Sequence, residues 1–245
     1  MSQGVLLETK GLLMQFGGVV AVNQVNFIMD VGELRCLIGP NGAGKSTFFK
    51  CLIGHLTPTA GRIRFNGHDI TGVESHEIAK KGIAIKTQVP SLYDGLTASE
   101  NVRLSARRVN SRMATTEIVE ETLELIGLTE NSKQIVGQLP HGKRQWLELG
   151  VVIASNPDLM LLDEPTAGMT HQEVEQTAEL IMRISEGRSL IVVEHDMQFI
   201  RMIANKVTVF HQGKILVEDT MDNILQNQIV RDVYLGKQAA KGLEC

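Results

Sequence analysis

The sequence predicts an α/β fold in which βαβ units carry a glycine-rich loop and are interrupted by an inserted helical stretch. Three observations predict it. ELRCLIG, a short apolar run, ends directly at GPNGAGKST and passes into the helical STFFKCLIG. Residues from about 93 to 153 then change to amphipathic helical patterning. Beyond them DLMLLDEP and SLIVVEHD, two apolar runs with polar residues at their C-terminal ends, flank the helical HQEVEQTAELIMRISEG. Short apolar runs bounded by turn residues read as buried strands, and their C-terminal ends are where open α/β sheets place ligand chemistry.

The elements follow in order. LLETKGLLMQF and VNFIMD are strand candidates, and Leu56 to Gly61 turns the chain out of the first helix into the strand RIRFNG. The run from Arg103 to Arg112, with Arg107 and Arg108, reads as a solvated helix face. ATTEIVEETLELIGL places Ile118, Thr122, Leu123 and Ile126 at helical spacing, with solvated carboxylates on the other face. A second apolar helix begins near Gly142 and carries Trp146, Leu149 and Ile153, with Trp146 read as a packing residue. The later helix runs through Val174, Ala178, Ile181 and Ser185. VTVFHQGKILVE reads as a final hairpin, and a helical tail is expected at about 221–240. With 245 residues, 43% hydrophobic and 21% charged, the chain is long enough for one large domain, and a single unit over 1–245 is expected, its helical subdomain at about 93–153.

Composition excludes several function classes. A formal charge of -4 gives no general footprint for nucleic acid, and no nucleic-acid partner is expected. Cys36, Cys51 and Cys245 have neither metal-ligand spacing nor disulfide density, and the first two sit in apolar core patterns. MSQGVLLETKGLL lacks the pattern of a secretory signal, and no run of about 18 apolar residues offers a membrane span, so membrane attachment is expected to come through another chain.

GPNGAGKST, Gly39 to Thr47, fits the pattern GxxxxGK[ST] between a strand and a helix. Gly39, Asn41, Gly42 and Gly44 let successive backbone donors turn toward phosphate, and the helix that follows adds its positive end. Lys45 can reach the β and γ phosphates, Ser46 can offer its hydroxyl to Mg²⁺, and Thr47 opens the helix beside it. LMLLDE supplies the acidic counterpart: Asp163 to hold the metal, and Glu164 to polarise an attacking water or accept its proton. An acidic helix cap accounts for one carboxylate more easily than for two after four apolar residues. His195, after LIVV, can meet a γ phosphate or the water, although a strand-end histidine needs no catalytic role. Gln88, a polar residue at a strand end, is weaker still.

Together these residues resemble the ATP-binding cassette transport ATPases, from about Leu6 to Gly236. The resemblance implies a P-loop NTPase cassette core with an antiparallel β subdomain and an inserted helical subdomain. It places Phe16 where an aromatic ring stacks on adenine, Gln88 where a glutamine joins the metal to the helical subdomain, Glu164 at the catalytic base and His195 at the switch histidine. Ser46, Gln88 and Asp163 form the implied metal set, with ATP and Mg²⁺ as the bound groups. Leu139 to Lys143 falls at the family signature, which contacts nucleotide held by a second cassette aligned head to tail. Pro165 to Thr170 follows the loop that communicates across that dimer, with AGMT departing from the commoner ending in aspartate. Residues around Gln88 to Gly95 would receive a membrane subunit.

VVEHDM, PTAGM and HGKRQWLELG look closer to the ATPase components of importers for branched-chain amino acids and, closer still, urea. That implies a second cassette, two membrane permeases and an external solute-binding protein. The chain would then sit peripherally on the cytoplasmic face of the inner membrane. A soluble cassette ATPase outside transport, and an ATP-binding regulatory cassette with weak hydrolysis, are the alternatives. LPHGKRQ keeps the second alive. Where the family has LSGGQ, this chain has Leu139, His141 and Gly142 with proline at 140 and lysine at 143. Pro140 lacks the serine hydroxyl and a backbone donor. A hydrogen bond to a charged group contributes about 1.5 to 3 kcal/mol, so its loss would cost roughly tenfold to a hundredfold in closure. Proline suits a helix start, and Lys143 brings a positive charge to the expected phosphate side.

Overall fold

The computed structural model describes residues 4–87, 91–108 and 112–235. Strands β1 (Val5–Phe16) and β2 (Val19–Asp30) pair as a long antiparallel hairpin, and β4 (Ala60–Phe65) and β5 (His68–Asp69) extend it in the order β2-β1-β4-β5. Val25, Phe27 and Met29 alternate inward along β2 while Asn26, Ile28 and Asp30 point out, the period of a sheet with one buried face. The second strand is longer than VNFIMD alone suggested, because the hairpin at Gly17-Gly18 recruits Val19 to Gln24 into the ladder.

The second sheet has six strands in the order β10-β9-β3-β8-β7-β6. Its members are β3 (Leu34–Ile38), β6 (Ile83–Lys86), β7 (Leu159–Asp163), β8 (Ser189–Val193), β9 (Lys206–His211) and β10 (Lys214–Asp219). All are parallel except β10, which returns against β9 as the expected hairpin. β3 and β8 are buried at every position, as parallel strands covered on both faces must be. Leu37, Leu161 and Ile191 point into the core shared with the antiparallel sheet and with Phe48 and Phe49 of α1 (Lys45–Leu52). Cys36, Ile38, Leu162 and Val192 point into the other core, beneath the helices. Burial pushes the Cys51 thiol up to about 11 and Cys36 higher still, so both are packing residues, as their patterns suggested.

The short strand β6 and helices α2 (Ser75–Lys80) and α7 (Met197–Ile203) carry too few periodic residues to stand out in the sequence. Between β6 and β7 lie α3 (Ala98–Ala106), α4 (Arg112–Leu125) and α5 (His141–Ala154), packed on one another. On α4, Thr122 and Leu123 are buried, with Ile126 just beyond its end, and Val119 takes the place expected of Ile118, which is half-buried. Glu117, Glu120, Glu121 and Glu124 are exposed, as are Arg107 and Arg108. Trp146 packs against the helical core and donates Nε1–H to Thr177 Oγ1 at 2.9 Å on α6 (His171–Ser185). After β10 come α8 (Met221–Gln226), α9 (Gln228–Val230) and a π-helical turn over Arg231–Leu235. Among the described residues no helix is long and apolar enough to cross a membrane.

Candidate functional site

The strand order decides what meets. β8 lies between β3 and β7, so the C-terminal ends of three parallel strands open on one edge: β3 into Gly39–Lys45, β7 into Asp163–Glu164, β8 into Glu194–His195. Asp163 pairs in register with Val193, and Glu194 N–H reaches back to the Leu37 carbonyl at 3.4 Å.

Gly39 and Gly44 shape the loop after β3. Each has positive φ, 151° and 105°, and a Cβ on Gly39 would collide with the Phe210 carbonyl of β9, one on Gly44 with the Ala21 carbonyl of β2. Asn41 and Gly42 are exposed at the tip, and Ser46 and Thr47 open α1, Ser46 to solvent. Lys45 folds across the loop and donates to the carbonyls of Gly39 at 2.7 Å and Pro40 at 3.2 Å. Burial lowers its pKa, opposed by the Glu164 and Asp163 carboxylates, so the lysine already lies in the field of the acidic strand end. Phe16 ends β1 with 47% of its surface exposed and pairs with Val19, two residues before the Ala21 carbonyl that packs on Gly44. Phe16 thus lies on the hairpin whose second strand packs on the loop.

Asp163 is the anomaly of the site. Its Oδ1 is buried with no hydrogen-bond partner among the described residues, and its pKa is raised above the usual 3.8, first by burial and then by the neighbouring Glu164. A buried carboxylate oxygen without a donor suits a hard cation or its water. Among the described residues no group of three or more His, Cys, Asp or Glu could hold a metal by itself. One carboxylate and the Ser46 hydroxyl are the kind of donor set that holds Mg²⁺ together with phosphate oxygens, so the residues present fit it. Gln88, the third expected ligand, lies outside the described residues.

Glu164 adopts φ 47°, a left-handed conformation that costs a non-glycine residue about 1 to 3 kcal/mol. Its N–H is captured by the Val193 carbonyl at 2.9 Å, which ties the turn to β8. Its Oε1 lies 3.6 Å from His195 Nδ1, and the His195 side chain is 62% exposed. The structure therefore brings Lys45, Asp163, Glu164 and His195 to one place.

Three residues given no role from the sequence also converge here. Glu194 is buried and accepts from Thr166 N–H at 3.2 Å, Thr166 Oγ1 at 2.5 Å and His195 N–H at 3.0 Å, tying β8 to the loop after β7. Lys86 and Glu148, both buried, form an ion pair at 3.4 Å between β6 and α5. The available signal was a charged residue inside an otherwise apolar run, in VVEHD, IAIK and WLELG.

Leu139 to Lys143 occupies the start of α5. Leu139 is buried, and Pro140 is the N-cap at φ -55° and ψ 155°, without a side-chain cap but with its carbonyl accepting Arg144 N–H at 3.0 Å. His141 Nε2 lies 3.1 Å from the Ala167 carbonyl, and a Cβ on Gly142 would collide with the Glu173 carboxylate. Thr170, the N-cap of α6, holds that carboxyl below its usual range through backbone and hydroxyl donors. Lys143 does not extend its charge from the helix start: its ammonium donates to Asn131 Oδ1 at 2.9 Å, because that amide already spends its Nδ2 on Gln134 and presents its oxygen. Among the described residues no hydrogen bond joins 139–143 to 39–47; the segment's partners are the loop after β7 and the helical subdomain.

Residues 22–167 match the family model described as ABC transporter. The high-affinity branched-chain amino acid transport ATP-binding protein BraF of Pseudomonas aeruginosa is 34% identical, over 95% of this chain and 98% of its own length. The protein of the same description, LivG, of Escherichia coli K12 is 33% identical over the same shares, 95% and 98%. A crystal structure of the ADP conformation of an ATP-binding cassette of an ABC transporter superposes with a TM-score of 0.85 at 26% identity, covering 96% of this chain and 100% of that one.

Proposed function

The chain belongs to the ABC transporter family, and from that premise we propose that it is the ATP-hydrolysing subunit of a membrane importer whose solute is a branched-chain amino acid or urea. The observation that carries the reading is the meeting of Lys45, Asp163, Glu164 and His195 at adjacent strand ends, with Asp163 Oδ1 buried and unpaired.

In this reading Lys45 exchanges the Gly39 and Pro40 carbonyls for the β and γ phosphate oxygens of ATP, moving little because it already lies across the loop. Phe16 stacks on the base. Glu164 orients the attacking water and takes its proton, and His195 beside it steadies the γ phosphate. Mg²⁺, held by Asp163, Ser46 and Gln88, would screen the phosphate charge. Leu139 to Lys143 serves nucleotide on a second, identical or homologous cassette, which agrees with a segment hydrogen-bonded to the loop after β7 rather than to its own phosphate loop.

In this reading the chain is one cassette, with α3, α4 and α5 in its helical subdomain and α8 and α9 in its C-terminal tail; the part of the expected tail beyond residue 235 lies outside the described residues. Two permeases place it on the cytoplasmic face of the membrane, and an external solute-binding protein acts through the assembled complex. A groove of about 240 Å³ between β6, α2, α3 and α5, lined among others by Ile85, Ser91, Ser105, Arg108 and Val151, is the surface we assign to the permease. The bare N-cap at Pro140 favours a second reading, a cassette that binds ATP but closes poorly.

The test is purification with both permeases, reconstitution in a bilayer and solute-stimulated ATP turnover. Glu164→Gln is expected to retain ATP binding and to lower turnover by about a hundredfold or more. Near-normal turnover in that variant would remove Glu164 from its role. ATP binding without turnover in the assembled wild type would select the second reading.

A further inference from the structure

We propose that Glu173 is a positioning residue: its carboxylate, fixed by Thr170 at the start of α6, sets where the first turn of α5 lies and is the reason that position 142 carries no side chain. The inference rests on the reading of Leu139 to Lys143 as a contact for nucleotide on a second cassette, and it deepens that reading.

A glycine in a segment that meets phosphate is ordinarily taken as room for the ligand. At Gly142 the room is already taken from within the chain. Gly142 is buried in the first turn of α5, and a Cβ built there would collide with Glu173 Oε1, 2.6 Å from its Cδ and 3.3 Å from its Cγ. A carboxylate at the end of a free side chain could swing away, but this one is held. Thr170 N–H and the Thr170 hydroxyl each donate to Glu173 Oε2 at 2.9 Å, and the same hydroxyl accepts Glu173 N–H at 3.3 Å. These bonds are the capping box of α6, so moving the carboxylate strips two donors of their acceptor.

The contact belongs to a repeated register. One turn further along both helices, Trp146 Nε1–H donates to Thr177 Oγ1 at 2.9 Å, and that hydroxyl donates to the Glu173 carbonyl at 2.7 Å. The largest side chain of α5 thus stands at the second level and none at the first, where Glu173 fills the space from α6. Beside Gly142, His141 Nε2 lies 3.1 Å from the Ala167 carbonyl, and a Cβ on Gly168, at φ 76°, would lie 2.9 Å from that nitrogen. Each segment presents a glycine to a long side chain of the other. The first turn of α5 is therefore placed by α6 and the loop before it, and the backbone donors it offers to nucleotide are aimed by that placement.

A double-substitution cycle on the full chain tests this. Alanine is a better helix residue than glycine, so Gly142→Ala raises the thermal midpoint unless its methyl group meets an obstacle. In the wild-type background it is expected to lower the midpoint by about 2 °C or more, and in Glu173→Ala to raise it by about 2 °C. Glu173→Gln, which keeps the volume, should leave Gly142→Ala destabilising. ATP-dependent dimer formation, read by size in a Glu164→Gln background, should fall about tenfold or more with Gly142→Ala and recover to within about threefold when Glu173→Ala is added. Midpoint shifts of one sign in both backgrounds would overturn the proposal. So would association unmoved by Gly142→Ala, which makes the contact merely structural, or association still low in the double variant, which assigns the glycine to the nucleotide. Absence of ATP-dependent association in the Glu164→Gln parent would instead sink the reading of 139–143, and the midpoint cycle then decides whether Glu173 excludes a side chain at 142.

Discussion

Asp163 carries a cost in the nucleotide-free fold. Burial and the adjacent Glu164 raise its pKa above 3.8, and Oδ1 has no donor among the described residues. A group whose folded pKa is raised contributes stability that is present below its unfolded pKa and lost as pH rises through the folded value. At neutral pH the nucleotide-free fold therefore bears an unpaired carboxylate. Asp163→Asn should raise the nucleotide-free thermal midpoint at pH 7 by about 2 °C or more, with the gap closing as pH is lowered toward the raised value. The same variant should lose most of the stabilisation that Mg²⁺ and ATP confer. A lower midpoint in the variant at pH 7 would count against this account, and thermal unfolding across pH decides it. At this scale the sequence proposes roles for Lys45, Asp163 and Glu164 from a few consecutive residues, and the structure brings the three to one sheet edge. Glu194, Lys86 and Glu148 were not legible, because a charge inside an apolar run acquires meaning only when its partner is known.

Among the elements, the phosphate loop and its flanks were the most legible, since a buried strand, a glycine-rich turn and a helix follow one another without interruption. The glycines are not equivalent. Gly44 faces the Ala21 carbonyl at φ 105°, while Gly42, at φ 79°, faces open space. Gly44→Ala should cost about 1 to 3 kcal/mol from backbone strain, plus displacement of β2, and Gly42→Ala about 1 kcal/mol. Chemical denaturation gives the ranking, and equal losses would remove β2 as the wall of the loop. Lys143 is the instructive departure. Its charge was expected toward phosphate, but the spacing of a helix start says nothing about an acceptor such as Asn131, which lies on the segment before that helix. β6 was implied only by reading Gln88 as a strand end, because IAIK is too short to display a period and pairing with β7 makes it a strand.

For the whole molecule, the proposed reading completes the site only in a head-to-tail dimer, and in that reading Pro140 bears on closure. Pro140→Ser supplies the missing N-cap hydroxyl and backbone donor, and should strengthen ATP-dependent dimer formation by roughly tenfold. Size measurement in a Glu164→Gln background, with and without ATP, reads it; unchanged association would clear Pro140 of any defect. By itself the sequence determined the α/β class, the phosphate loop, the acidic strand end and the family they resemble. These depend on residues adjacent in the chain, whose backbone and side chains need no distant partner to be recognised. Only the tertiary structure decided that β8 separates β3 from β7, that Glu194 holds Thr166, and that Glu148 reaches Lys86. Strand order and the pairing of buried charges are set by which apolar faces pack together, and that is a property of long-range contacts rather than of any local pattern.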